Sequence, residues 1–330
     1  MNRRRLIQTL ILLVGLTGIA LAVWKSVEDT QGQVLPSAAA LVAGGLLAQI
    51  GILASARAWV SLFSDLLTER SNRALLRGTF YLSQLTKYLP VGGVAQAASQ
   101  LGLAPTAGIP LKRAAVAYPV SAVCAVVAGL TLSTGLVFET GLPGWVRVLC
   151  VCGLLSVVLL RRGLMARFLT FARRVYHRVP SAELLPTQRD ILMFYVWALV
   201  TVAASAAAYS LMLGSLHTGA NLLTIFCGFA LSWVIGFLAV PIPAGVGVRE
   251  ALLVALIPGV GTGPVLAASL ALRLLTIGTE VMAFLVNKLV VRHHQRRLAG
   301  LPGEGPSATA AADVPITTSE PTPGHAVGGA

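Results

Sequence analysis

Acidic side chains are scarce: 12 Asp and Glu stand against 25 Lys and Arg in 330 residues, and charged residues of either sign make up only 11%. Soluble domains usually carry roughly 25% charged residues, so this composition excludes an ordinary water-exposed surface. Aromatics are also few, at 6%, and they do not interleave with basic residues on a soluble module, so no nucleic-acid partner is expected despite the net charge of +13. Cysteine is limited to Cys124, Cys150, Cys152 and Cys227, all inside apolar runs, which provides no disulfide framework. Cys150-Val-Cys152 reads either as a metal pair or as small residues buried in a helix. The chain lacks Gly-x-x-x-x-Gly-Lys-Ser/Thr, His-Glu-x-x-His and Gly-x-Ser-x-Gly. Soluble-enzyme chemistry and ATP-driven pumping are therefore not expected, and no catalytic residue, metal or cofactor is assigned.

What remains is apolar: 56% of the residues are hydrophobic and the mean hydropathy is +0.80. The expected class is an all-α polytopic membrane protein. Apolar runs at residues 6–24, about 35–63, about 110–138, 145–160, 191–213 and about 264–291 are six candidate spans of a hydrocarbon core about 30 Å thick. Ala20-Leu-Ala22 imitates a signal-peptidase site, but its run is long for a signal sequence and further spans follow, so residues 6–24 read as a retained first helix. Arg57 and Trp59, near the end of the second run, read as interfacial residues, the Arg reaching outward to water.

Two breaks interrupt this pattern. Around Pro241-Ile-Pro-Ala-Gly-Val-Gly-Val-Arg-Glu250, Pro241 and Pro243 remove backbone donors while Gly245 and Gly247 admit unusual backbone angles. Lys87-Tyr-Leu-Pro-Val-Gly-Gly93 places Pro90, Gly92 and Gly93 in a similar setting. Aligning Pro90 with Pro243 also aligns Pro110 with Pro264 at nearly the same offset. The chain reads as two copies of one unit, about 1–140 and 141–291, each made of two spans, a re-entrant helical hairpin and a further span. Three spans per unit make the repeats inverted. The arms 74–88 and 249–257 are shorter than the about 17 to 25 residues a crossing needs, which favours hairpins.

The basic residues orient this plan. With the N-terminus inside, Arg3 to Arg5, Arg70, Arg73, Arg77, Lys112, Arg113, the 161–189 connection and Arg292 to Arg297 all fall on the cytoplasmic side. Within that connection, Leu164, Phe168, Phe171 and Val175 recur at helical intervals among arginines, which reads either as an interfacial amphipathic helix or as a solvated charge run. Residues 292–300 form a basic cytoplasmic end, in which His293 and His294 read as surface charge. The stretch 301–330 has five prolines and no Lys or Arg, and is expected to be disordered.

Polar groups within the membrane are costly and mark candidate sites. They are Lys87, Tyr88 and Gln96 around the first break, Arg249 and Glu250 after the second, and Arg273 and Glu280 in the last span. Arg273 and Glu280 lie two helical turns apart, so each is expected to meet a hairpin group or a ligand and not the other. An Arg249/Glu280 or Glu250/Arg273 bridge that only pins a hairpin is one reading. A phosphate site built from Arg and free amides at a half-helix N-terminus is the other.

At these residues the chain resembles the flippase-like family that includes the transmembrane domain of lysylphosphatidylglycerol synthases and stand-alone bacterial homologues. The matching pieces are Lys87 to Gly93, Pro241 to Glu250, and the helix from Arg273 to Glu280, with Ala244-Gly245 where the family usually has two glycines. The resemblance implies an inner-membrane protein that moves a lipid with a charged or glycosylated head group between leaflets. Its cytoplasmic face would meet anionic phospholipids. It implies no aminoacyl transfer, since the synthase half has no counterpart after Val291. The alternative is a non-transporting subunit that scaffolds a glycosyltransferase or other lipid-modifying enzyme, alone or as a homo-oligomer. An integral glycosyltransferase fits less well, because its expected outer loops offer only Glu28, Asp29 and Glu139 as acids.

Overall fold

A computed structural model describes residues 35–67, 70–88, 92–139, 141–175, 181–216, 219–239 and 247–299. Every regular element among them is helical. The first expected span (6–24), the tail 301–330, and Pro90, Pro241, Pro243 and Gly245 of the two breaks lie outside the described residues.

Helix α1, Ala38–Ser61, begins where the Ser37 hydroxyl accepts the Ala40 amide at 3.3 Å. Its outer face carries Val42, Leu46, Ile50 and Leu53, which are exposed, while Gly44, Ala48, Gly51 and Ala58 are buried. That pattern, apolar outside and small inside, suits lipid, where no hydrophobic force draws helices together and close backbone approach does. The same pattern brings α1 against α7, Gln188–Gly214, along their lengths. Ser55 and Thr201 hydrogen-bond between them at 3.1 Å, and the Thr201 hydroxyl reaches the Gly51 carbonyl at 3.3 Å. At the far end of α1, the Ser64 hydroxyl donates to Asp190 at 2.6 Å, and Asp190 and Thr187 close a capping box over the start of α7.

Among the described residues four helices are long and apolar enough to cross a membrane: α1, α7, the segment Leu111–Phe138 and the segment Thr262–Val291. In the third of these, α4 (Leu111–Ser133) runs on into a short 3-10 turn, and the last belongs to α10, Thr262–Ala299. A fifth candidate is bent. Residues Gly144–Leu160, comprising α5 (Gly144–Leu155) and a 3-10 turn, meet α6 (Arg162–Val175) at 87°. Arg161 is extended at this corner, and the Gln188 side chain serves the interrupted backbone, donating to the Leu160 carbonyl at 3.1 Å and accepting the Arg162 amide at 2.7 Å. Of the two readings of the arginine-rich connection, the helical one is observed, with Phe168 and Phe171 exposed.

Two shorter pairs complete the membrane-sized unit. α2 (Arg70–Thr86) packs beside α3 (Gly92–Leu103), and α8 (Leu222–Leu238) packs beside α9 (Val248–Leu256). At 12 and 9 residues, α3 and α9 fall short of the length a single crossing requires. Contacts divide the chain into residues 1–291 and 292–330, and the cavities described below are lined by residues of the first of these.

A candidate lipid head-group cavity

The residues at the two breaks converge on one cavity of about 620 Å³. α2 and α3 bring Lys87, Tyr88 and Gln96 to its wall, α9 brings Arg249, and α10 brings Arg273. The remaining two sequence candidates, Glu250 and Glu280, each pair with one of these cations.

Glu250 is an acceptor with four donors. Its Oε2 takes the Gly247 amide at 2.7 Å, and its Oε1 takes the Ser269 hydroxyl at 2.8 Å and Arg273 Nε and Nη2 at 3.0 and 2.7 Å. Gly247 itself holds φ at +86°, a left-handed angle that glycine adopts without a Cβ penalty. The start of α9 is thus tied to α10 through one carboxylate. Of the two bridges considered for this region, Glu250/Arg273 is present, and Arg249/Glu280 is not found among the described residues. Arg273 and Glu280 do not meet: Glu280 pairs with Lys87, and its Oε2 is buried with no described partner. The Glu280 side chain is only 2% exposed, so Lys87 supplies the charge that makes its burial tolerable.

Two ion pairs therefore fasten the two helical pairs to the same face of α10, and among the described residues of the cavity wall one cation, Arg249, is in no ion pair. Arg249 lies with its guanidinium 4.0 Å from the centre of the Phe229 ring, and its Nε is buried without an acceptor. The ring accounts for its position, since an arginine plane stacks well on an aromatic face. It does not satisfy the donors. Phe229 is held in turn against Tyr209, at 5.1 Å between ring centres.

Several wall residues were not singled out from the sequence. Trp233 and Phe237 stack on each other at 5.5 Å between centres with planes 10° apart, and both line the cavity from α8. Their spacing of four residues immediately before a helix break was the available signal. Gln84, Tyr118, Ser205, Ser269 and Thr276 also line it, contributed by four different helices, and no linear motif connects them.

The arrangement offers stacked aromatic side chains, cations already neutralised in two ion pairs, and one guanidinium with an unused donor. Such a site can take a single anionic group whose attached chains lie against the aromatic wall. Among the described residues no group of three or more His, Cys, Asp and Glu side chains gathers as metal ligands would. Of the cysteine pair, Cys150 is buried and donates to the Ser133 carbonyl while Cys152 is exposed, so the two thiols face different sides of α5. No protein-family model, curated protein or solved structure matches this chain, so the family resemblance rests on the motifs at the two breaks.

Proposed function

We propose that the protein is an inner-membrane lipid flippase or transporter, moving a phospholipid or polyprenyl-linked lipid with a charged or glycosylated head group between leaflets. In this reading the chain has six spans, and α2/α3 and α8/α9 are re-entrant hairpins of an inverted repeat of the lysylphosphatidylglycerol synthase transmembrane type. Matching lengths support the repeat. α2 and α8 are each 17 residues, α1 and α7 are 24 and 27, and Leu111–Phe138 and Thr262–Val291 are 28 and 30. Irregular backbone at membrane depth is tolerated where it lines a wet cavity, which agrees with both breaks bordering the same one.

The observation that carries the proposal is Arg249: a half-buried side chain on the cavity wall whose buried Nε has no acceptor and which is in no ion pair among the described residues. A phosphate oxygen of a lipid head group supplies what the protein withholds. Arg273 and Lys87, already paired, position the hairpins, and exchange of those pairs between carboxylate and substrate would let either side open. The test is translocation in proteoliposomes, read as protection of a fluorescent head-group-labelled phosphatidylglycerol from an external quencher. Loss of a charge-assisted contact of about 1.5–3 kcal/mol should slow Arg249→Gln about tenfold or more. Equal rates for wild type and this variant would remove Arg249 from the site. An absence of translocation by the pure protein, together with loss of a lipid modification in cells without it, would favour the scaffolding role instead.

A further inference from the structure

A second cavity, of about 490 Å³, is walled by Arg57 from α1, Arg73 and Arg77 from α2, and Trp197 from α7, with no acidic residue in its lining among the described residues. The sequence reads Arg73 and Arg77 only as orientation signals, for which a positive charge anywhere on the right side is enough, and Arg57 only as an interfacial side chain reaching outward to water. It gives no reason for three of them, from two helices, to converge on one hollow.

Their neighbours hold them there without neutralising them. Arg73 Nε donates to the Leu67 carbonyl at 2.8 Å, and Arg77 Nε reaches the Arg73 carbonyl at 3.4 Å. Arg57 lies over the Trp197 ring, 5.3 Å from its centre. Among the described residues the nearby carboxylates are committed elsewhere: Asp190 is buried in the α7 cap with Thr187 and Ser64, and Asp65 pairs with Arg113. None of the three arginines is in an ion pair among the described residues. Like charges brought together without a counter-charge repel, and a planar guanidinium with its Nη groups uncommitted is suited to phosphate oxygens.

We propose that this hollow is a binding site for a phosphate-bearing anion, separate from the cavity at the helix breaks and independent of the transport reading. Two sources share that chemistry: the head group of an anionic phospholipid of the surrounding leaflet, and a soluble phosphate compound. The position of Arg57 in the last turns of a lipid-facing helix admits the first, and the open rim admits the second.

The test uses the purified full-length chain and its thermal stability. In one arm, nanodiscs of phosphatidylcholine receive increasing phosphatidylglycerol; in the other, inorganic phosphate is titrated in pure phosphatidylcholine at constant ionic strength. Wild type should gain stability in at least one arm, and the responding arm identifies the source. Replacing Arg73 and Arg77 together by Gln should raise the half-saturating ligand level about tenfold or more. Because the Gln variant could fail to fold, Arg73→Lys/Arg77→Lys serves beside it, keeping the charge but not the planar fork, and should respond more weakly than wild type. Wild type that gains nothing in either arm, or a response equal in wild type and in whichever of the two variants folds, overturns the proposal.

Discussion

Replacing Glu250 by Gln keeps the shape of the side chain but removes the charge on which Arg273 Nε, Arg273 Nη2, Ser269 and the Gly247 amide converge. The Glu250 and Arg273 side chains are 13% and 22% exposed, so solvent replaces little of what is lost. Breaking a buried pair by removing one partner costs about 3–5 kcal/mol, and partial exposure puts the expectation near about 3 kcal/mol for either Glu250→Gln or Arg273→Gln. That corresponds to roughly a hundredfold change in the unfolding equilibrium constant. Much of the cost is the stranded partner and not the bond itself, so the double variant should be little worse than either single one. The coupling energy in the cycle is then about −3 kcal/mol, the double-variant loss minus the two single losses. Unfolding of the detergent-solubilised protein in increasing sodium dodecyl sulfate, followed by tryptophan fluorescence, measures all four corners. Additive losses would show that the two side chains do not stabilise α9 through each other, and the pinning of α9 to α10 would have to be abandoned.

The Lys87 and Glu280 pair makes a parallel case from the first hairpin. Lys87→Met leaves a carboxylate that is 2% exposed without its cation and should cost about 3–5 kcal/mol, and adding Glu280→Gln should recover most of it; the same unfolding assay decides, and an unchanged Lys87→Met midpoint refutes the pairing. Two glycines test the helix packing. A Cβ at Gly153 would lie 2.7 Å from Leu130 Cβ, an atom fixed to the α4 backbone, so Gly153→Ala should cost about 1–3 kcal/mol. At Gly44 the obstruction is the terminal methyl of Met212 at 2.2 Å, which can swing away, and the gain in helix propensity offsets part of the cost, so Gly44→Ala should change stability by less than about 1 kcal/mol. A reversed order of these two melting shifts would refute the assigned contact between α4 and α5.

The helical class was legible in the sequence because lipid imposes it: backbone groups without water must bond within their own segment, and apolar runs of sufficient length have few alternatives. Four long runs and the bent fifth appear as helices close to where hydropathy places them. The two interruptions were legible for the same reason, since proline and glycine act on the backbone locally. So was the separation of Arg273 from Glu280, which follows from helical pitch alone. The arginine-rich connection after Leu160 could be read two ways, because its periodicity fits a helix and its charge fits a solvated strand of coil. Gln188, 27 residues beyond Arg161, supplies the backbone partners at the corner, and no local signal names it.

Charge, length and breaks, then, belong to the sequence: it nominated seven polar residues that a membrane would not hold without partners. Which of them cancel was decided by tertiary structure alone. Glu250 and Arg273 are 23 positions apart, and Lys87 and Glu280 are 193, so no spacing rule couples them. Only when the two helical pairs meet α10 do two ion pairs form and Arg249, next in the chain to a carboxylate with four donors, remain with a ring behind it and an unused donor. Electrostatic complementarity depends on distances in space, and the chain order carries none of them.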